Sequence, residues 1–559
     1  MKQDNKPLIA MLIILAAVFL FFRLIDIDRT LSQDEILPKC TFLSLEFPGN
    51  FLGDYGQPPL WQLPNSILAS MLGTSNWVFR IIPVAASMAT TILLMLYLRK
   101  RFGAEYAILG LMLLAFFPWQ INTSNQALQS SLLTLFMISS VFFAERFLEK
   151  RKRFHLLAAT ALSAMAMLTM FIAVIAPLAI CLYIIFSQSR SITESFRDAL
   201  IYCGVTAGLF AAVMAVVHYI YPLAITSSIA HTQDLGGFFK IPVLGLPSLV
   251  ILFLWIGPMA LLFLLVLLTR TEIRSFPADI HLLYLLSSLV IFLAFNSDQS
   301  RPFDRYFMVI IPSMIIILIN YGRDIFDAVI KERWLLLTAF ALALGAFLLL
   351  GSIPHPIIPM EPKLEFIQKF LFYLGRIMVP YSSNGGPVGF YVPGLILLAS
   401  WASCAALFGM SILSQNKRLP VLMISVILAC NLCVSLYQAG LMDLPDPNKA
   451  TSDLIENLDE IPLGEEIFIY RNQGLVGYLP PEHAMHLDRI EEIHSRAFQV
   501  ATFSNVIKDA ENFSVIIVDF PKIADDSGMW KELRRCEKVY HSDKFGVDEL
   551  VFNCFNQEH

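Results

Sequence analysis

Two acids stand side by side, Asp34 and Glu35, in the stretch LSQDEILPKC. They follow an apolar run over 8–24 by only a few residues, so they lie at the lip of a bilayer-spanning segment, where desolvating a charge is costly. Paired carboxylates can take a proton, orient one another, hold an acceptor or share a metal. Few other polar side chains could join them. Arg80 enters an apolar run, and Arg305 with Tyr306 opens a late one in RPFDRYFMVIIPSM. Tyr55 and Gln57 stand in GDYGQPPL, and His231 stands in PLAITSSIAHTQDLGGFFKIP. A guanidinium offers a planar fork of donors suited to phosphate oxygens. No cluster of His, Cys, Asp and Glu has metal-ligand spacing, so no cofactor is assigned; a divalent metal stays an open option. No Gly-rich nucleotide loop and no basic stripe for nucleic acid occur.

These residues need a scaffold. The chain has 559 residues, 56% hydrophobic and only 15% charged, with a net charge of −5. A soluble chain carries about a quarter charged residues, so this is read as a polytopic α-helical membrane protein. Apolar runs of spanning length fall near 8–24, 78–98, 104–120, 127–146, 155–170, 172–187, 198–221, 243–268, 279–296, 305–322, 334–352, 391–412 and 419–439, about thirteen spans. Lys and Arg gather in short cytoplasmic loops. With the N-terminus inside, every inner loop is basic, from Arg99, Lys100 and Arg101 through Lys150–Arg153 to Lys417 and Arg418. Treating 155–187 as one span would break that alternation. The first run carries no small-x-small cleavage site, so it is read as a span rather than a signal peptide.

This arrangement puts the loop 25–77, with Asp34 and Glu35, outside. The loop 353–390 is also outside, and within it EPKLEFIQKFLFYLGRIM shows helical spacing of Leu364, Ile367, Leu371 and Leu374, an amphipathic helix expected at the interface or on a domain surface. The membrane domain is 1–440. After the Pro/Asp-rich junction LMDLPDPNKATSDL, residues 441–559 read as a small extracytoplasmic α/β domain, with EEIFIY and FSVIIVDF as buried strands. Five cysteines, Cys181, Cys203, Cys404, Cys430 and Cys433, fall in spans and read as small hydrophobes. Cys536 and Cys554 flank two strand-like runs outside, where an oxidising compartment permits a disulfide.

An acidic pair after the first span, then Pro58, Pro59 and Leu60, then Arg80 and Pro83 opening the next span, with Arg305, Tyr306 and Pro312 later, resembles a known family. It is that of the dolichyl-phosphate-mannose protein mannosyltransferases and aminoarabinose (lipid A) transferases, in the glycosyltransferase C superfamily. The resemblance implies an enzyme of the bacterial inner membrane. It would move a sugar from a polyprenyl-phosphate carrier to a lipid, glycan or protein acceptor at the outer face, with inversion. It also implies roles. One carboxylate, Asp34, would take the acceptor's proton, and Glu35 would orient it or bind the acceptor or a metal. Arg305, Tyr306 and Arg80 would hold the donor phosphate, with Tyr55, Gln57 and His231 at the substrate. Two departures stand out: Gln57 replaces a Lys common in aminoarabinose transferases, and NTSNQALQSS, with Asn125, Gln126 and Gln129, lacks an acid that relatives often carry. The rival readings are a transporter or flippase of lipid-linked sugars and a non-catalytic member of the same fold. A transporter would be expected to hold its charges mid-membrane.

Overall fold

Lipid offers the backbone no hydrogen bonds, so the apolar runs must close their own as helices. The computed structural model describes residues 6–25, 27–31, 35–36, 38–39, 42, 58–186, 191–220, 256–269, 279–295, 306–354, 356–359, 375–379, 390–414, 416–442, 445–464, 466–470, 475, 478, 497–498, 503–507 and 512–555. The membrane part consists of α1 (Lys6–Leu24), α2 (Pro59–Leu72), α3 (Asn76–Arg101), α4 (Ala104–Ala115), α5 (Pro118–Ser124), α6 (Ser130–Lys150), α7 (Arg153–Thr169), α8 (Ile175–Phe186), α9 (Ile192–Ile220), α10 (Met259–Thr269), α11 (Ile280–Phe295), α12 (Ile311–Tyr321), α13 (Arg323–Lys331) and α14 (Arg333–Ser352). A two-stranded ribbon, β1 (Arg376–Val379) and β2 (Phe390–Pro393), precedes α15 (Gly394–Ser414) and α16 (Arg418–Gln438). Among the described residues, six helices are long and apolar enough to cross a membrane, or up to eight if each of two bent pairs is one span; shorter apolar helices accompany them. The protein is thus a polytopic helical membrane protein. One large apolar core runs through it, from Leu15 and Phe22 of α1 to Val434 and Tyr437 of α16.

Three local departures from the sequence reading have physical causes. The run 104–120 is not one straight helix: α4 and α5 meet at 66°. Pro118 opens α5, and the residue before it, Phe117, is extended at φ −75°, ψ 111°, because proline disfavours a helical predecessor and donates no N–H. The amphipathic helix expected within 353–390 lies mostly outside the described residues, but its end is strand: Ile377 pairs with Val392 and Met378 with Tyr391, antiparallel. The aromatic and β-branched side chains of FYVP suit a pleated surface, so the run expected as a span from 391 becomes helical only at Gly394. The loop 25–77 also contains a helix, α2, with Pro59 in its first turn, where a missing N–H costs nothing.

The tail contains α17 (Pro447–Asn457), β3 (Glu466–Tyr470), β4 (Ala497–Phe498), α18 (Phe503–Val506), β5 (Asn512–Val518), α19 (Gly528–Leu533), β6 (Glu537–Ser542) and β7 (Glu549–Phe555). Its sheet has the order β4-β3-β5-β7-β6. β3 is parallel to β4 and β5, and β7 is antiparallel to β5 and β6. Asp446 caps α17 by accepting from the amides of Asn448 and Lys449, ahead of Pro447. β5 is buried from Phe513 to Val518. Ile516 and Val518 face Ala450 and Leu454 of α17, while Val515 and Ile517 face Phe503, Met529 and Leu533. Both faces of the strand are covered, which is why FSVIIV is continuously apolar. Cys536 and Cys554 form a disulfide with Cα atoms 4.5 Å apart.

Candidate active site

Of the acidic pair, Glu35 lies within the described residues and Asp34 does not. Glu35 is 1% exposed, at the end of a short loop that leaves α1. Its Oε1 accepts from Arg80 Nε at 3.0 Å and from the Ala127 amide at 2.8 Å, and its Oε2 accepts from Arg80 Nη2 at 3.2 Å. Arg29 Nη2 approaches Oε1 to 4.0 Å. Burial alone would push this carboxyl up. The charges of Arg80 and Arg29, with the bonds from Arg80 and Ala127, outweigh it and hold the group at about 2.

Arg80 projects from the first turns of α3 and is fully buried. Besides Glu35, its Nη1 donates to the carbonyls of Ile27 and Arg29, and its Nη2 to that of Thr30. A guanidinium has five N–H donors, and these five bonds use them all. The expectation that Arg80 grips a donor phosphate is therefore corrected: it threads the backbone turn 27–30 and neutralises Glu35, with no donor left for a ligand. The pairing, 45 residues apart, is what the sequence reading missed. No local spacing signals it.

The same knot draws in three further elements. Arg29 donates to the Asn125 carbonyl at 2.9 Å, and Asn125 Nδ2 to that of Phe22 at 2.7 Å. The stretch that lacks an acid thus supports Glu35 through a backbone amide, at Ala127. Gln62 of α2 donates to the Pro38 carbonyl at 3.2 Å. Leu31, Ile36, Ala69, Val78, Phe79 and Ala127 make a small apolar core under the loop. From the tail, Tyr478 reaches over: its hydroxyl accepts from the Leu31 amide at 3.1 Å and donates to Asn76 Oδ1 at 2.9 Å. Lys39 also donates to Asn76 Oδ1 and lies 5.2 Å from the centre of the Tyr478 ring. Tyr391 of β2 stacks edge-on against Phe520 at 4.9 Å and accepts from the Lys522 amide. The tail therefore packs against the first loop and against the ribbon before α15.

Tyr55, Gln57, His231 and Arg305 lie outside the described residues. Tyr306 begins a 3-10 turn leading into α12. Among the described residues, no group of three or more His, Cys, Asp and Glu side chains could hold a metal.

The chain matches the family model "Dolichyl-phosphate-mannose-protein mannosyltransferase" over residues 56–221. No curated protein matches it in sequence. Among solved structures, the chain superposes on ArnT from Cupriavidus metallidurans bound to undecaprenyl phosphate with a TM-score of 0.57, over 98% of each chain at 13% identity. The fold is that of ArnT. The same protein in its apo state gives a TM-score of 0.54 over 98% of each chain, again at 13% identity. The motif resemblance to the glycosyltransferase C superfamily is borne out by the family match together with the ArnT fold.

Proposed function

We propose that this chain is an inverting glycosyltransferase that takes a sugar from a polyprenyl-phosphate carrier and passes it to an acceptor hydroxyl at the outer membrane surface. The observation that carries the reading is the commitment of Glu35. Both its oxygens are engaged and its carboxyl is held at about 2, so it is a poor proton acceptor. It acts as a positioning residue, fixing the loop. The base is its sequence neighbour Asp34. The ArnT fold supports the donor class, since that relative was crystallised with undecaprenyl phosphate.

The chemistry is then economical. Attack by the acceptor oxygen on the anomeric carbon forms the new glycosidic bond, breaks the bond from that carbon to the carrier phosphate, and sends the acceptor's proton to Asp34. Phosphate is already a good leaving group and needs cationic support rather than a general acid. Arg305 and Tyr306 are proposed to give that support, with Tyr55, Gln57 and His231 around the sugar. Membrane vesicles containing the purified chain, supplied with lipid-linked sugars and candidate lipid, glycan and protein acceptors, test the reading. Asp34→Asn should lower transfer about 10²–10⁴-fold, the usual contribution of a general base, with insertion and carrier binding intact. Near wild-type turnover in that variant would remove Asp34 from the mechanism.

A further inference from the structure

The tail domain holds a carboxyl that the proposed chemistry does not use. Asp519 follows β5 directly and is 7% exposed. Its amide donates to the Asp548 carbonyl at 2.8 Å, and its Oδ1 accepts from the Ile523 amide at 2.8 Å. These two bonds draw residues 519–523 into a tight turn. Behind it, the Tyr470 hydroxyl of β3 donates to the Pro521 carbonyl at 2.8 Å. In front, the turn grips the membrane domain, for the Phe520 ring and the Lys522 amide both meet Tyr391 of β2.

The surroundings of Asp519 oppose its ionisation. Asp548, just before β7, and Asp525, further along the same loop, are like charges, and Lys522 offsets them only in part. His541 of β6 stands 3.2 Å from Asp548 Oδ1, while Tyr470 and Tyr391 bring hydroxyls. Burial is the largest influence, and the carboxyl is pushed up to about 7. Protonated, it is buried at little cost and still accepts from Ile523. Ionised, it becomes a buried anion whose bond to one amide does not replace its water. Opening the turn readmits water, and the same movement takes Phe520 and Lys522 away from Tyr391.

We propose that residues 519–523 form a pH-sensitive clasp: with Asp519 protonated the turn closes on Tyr391 and holds the tail to the ribbon before α15, and with Asp519 ionised it loosens. The folded value, about 7, lies above the ordinary 3.8. The closed form therefore loses ground as pH rises above about 3.8, and the loss is complete above about 7. Between those limits the ratio of closed to open falls by up to about tenfold per pH unit, the release of one proton. The tail also bonds to the first loop through Tyr478, so the clasp couples the pH on that side of the membrane to the loop that carries Asp34.

The test is amide exchange of the full chain in nanodiscs at about pH 5, 6, 7 and 8, corrected for the intrinsic pH dependence of exchange. It is read at Lys522 and Ile523 in wild type, Asp519→Asn, Asp548→Asn and Glu549→Gln. Glu549 is the necessary control. It is fully buried, its Oε1 has no partner and its carboxyl also lies at about 7, so it gives the sheet a pH dependence of the same sign. Wild-type protection should fall by up to about tenfold per pH unit between pH 5 and 7 and level off above. Asp519→Asn, neutral throughout, should stay protected at pH 8 with no fall. Glu549→Gln should keep the wild-type fall at these two amides. Asp548→Asn, which removes a like charge, should level off at lower pH, and it tests the clasp even if Asp519→Asn does not fold. Flat protection in wild type would overturn the proposal. So would a wild-type fall in Asp519→Asn, which would assign the pH dependence to His541 or to the sheet, and so would its loss in Glu549→Gln.

Discussion

Glu35 and Arg80 form one buried pair that fixes the first loop, beside the Asp34 that the proposed function makes the base. Each neutralises the other, and Arg80 also satisfies three carbonyls of the turn 27–30. Glu35→Gln keeps the shape and removes the counter-charge, leaving Arg80 buried and uncompensated. The expected cost is about 3–5 kcal/mol, read as a lowered melting temperature in detergent. A double change, Glu35→Gln with Arg80→Met, should recover much of that loss, since removing both charges is far cheaper than removing one. A merely solvated loop acid would show neither effect. The pH dependence has a definite sign. The folded value, about 2, lies below the ordinary 4.5, so the stabilisation from Glu35 is complete above about 4.5 and disappears as pH falls through about 2. Glu35→Gln should therefore lose its stability difference from wild type in that acid window. In the sequence the acidic pair and Arg80 were both visible as chemistry-bearing residues. Their roles were not. Adjacent acids look alike on paper, and only the fold brings α3 beneath the loop to engage one of them.

At the scale of elements, the apolar runs were legible because a bilayer imposes length and composition on a helix. What was not legible was where a run breaks or changes kind. Pro118 bends 104–120, and β1 pairs with β2 where helical spacing had suggested a continuing helix; short apolar segments satisfy either period. The contact between the tail and the loop was equally hidden, because Tyr478 and Leu31 are 447 residues apart. That contact makes a prediction about order in the loop. Tyr478→Phe removes the acceptor for the Leu31 amide and the donor to Asn76, at a net cost of about 1–3 kcal/mol if the amide is left unpaired. Amide exchange at Leu31 and its neighbours should speed up, while exchange in β5 stays slow, since Tyr478 lies outside that strand's packing. Unchanged protection at Leu31 would show that the loop is held by Arg80 alone.

For the whole molecule, side matters more than shape. Tyr478 bonds to Leu31, and Tyr391 bonds to the backbone of Lys522, so the first loop, the ribbon before α15 and the tail domain share one side of the membrane. An even number of crossings must therefore separate the first loop from the tail. The inner ends of the helices supply the direction: Arg99, Lys100 and Arg101 close α3, and Lys150 closes α6, the signature of cytoplasmic loops. α3 leaves the loop side at Asn76 and arrives at that basic cluster, so the loop and the tail lie opposite it, on the side we propose to be the exterior. Reporter fusions give the test. Fusions after residues 101, 151 and 417 should report cytoplasm, and fusions within the first loop and after 441 should report the exterior. Cys536 and Cys554 add an independent readout, because their disulfide should resist a thiol reagent that cannot cross the membrane until reductant is added from outside. A tail reported as cytoplasmic while the first loop is exterior would contradict the Tyr478–Leu31 bond itself, and with it the docking of the α/β domain against the first loop. A tail and loop both cytoplasmic would keep that docking and reverse the membrane face. The sugar would then be transferred inside the cell, and the outer-surface acceptors would have to be abandoned.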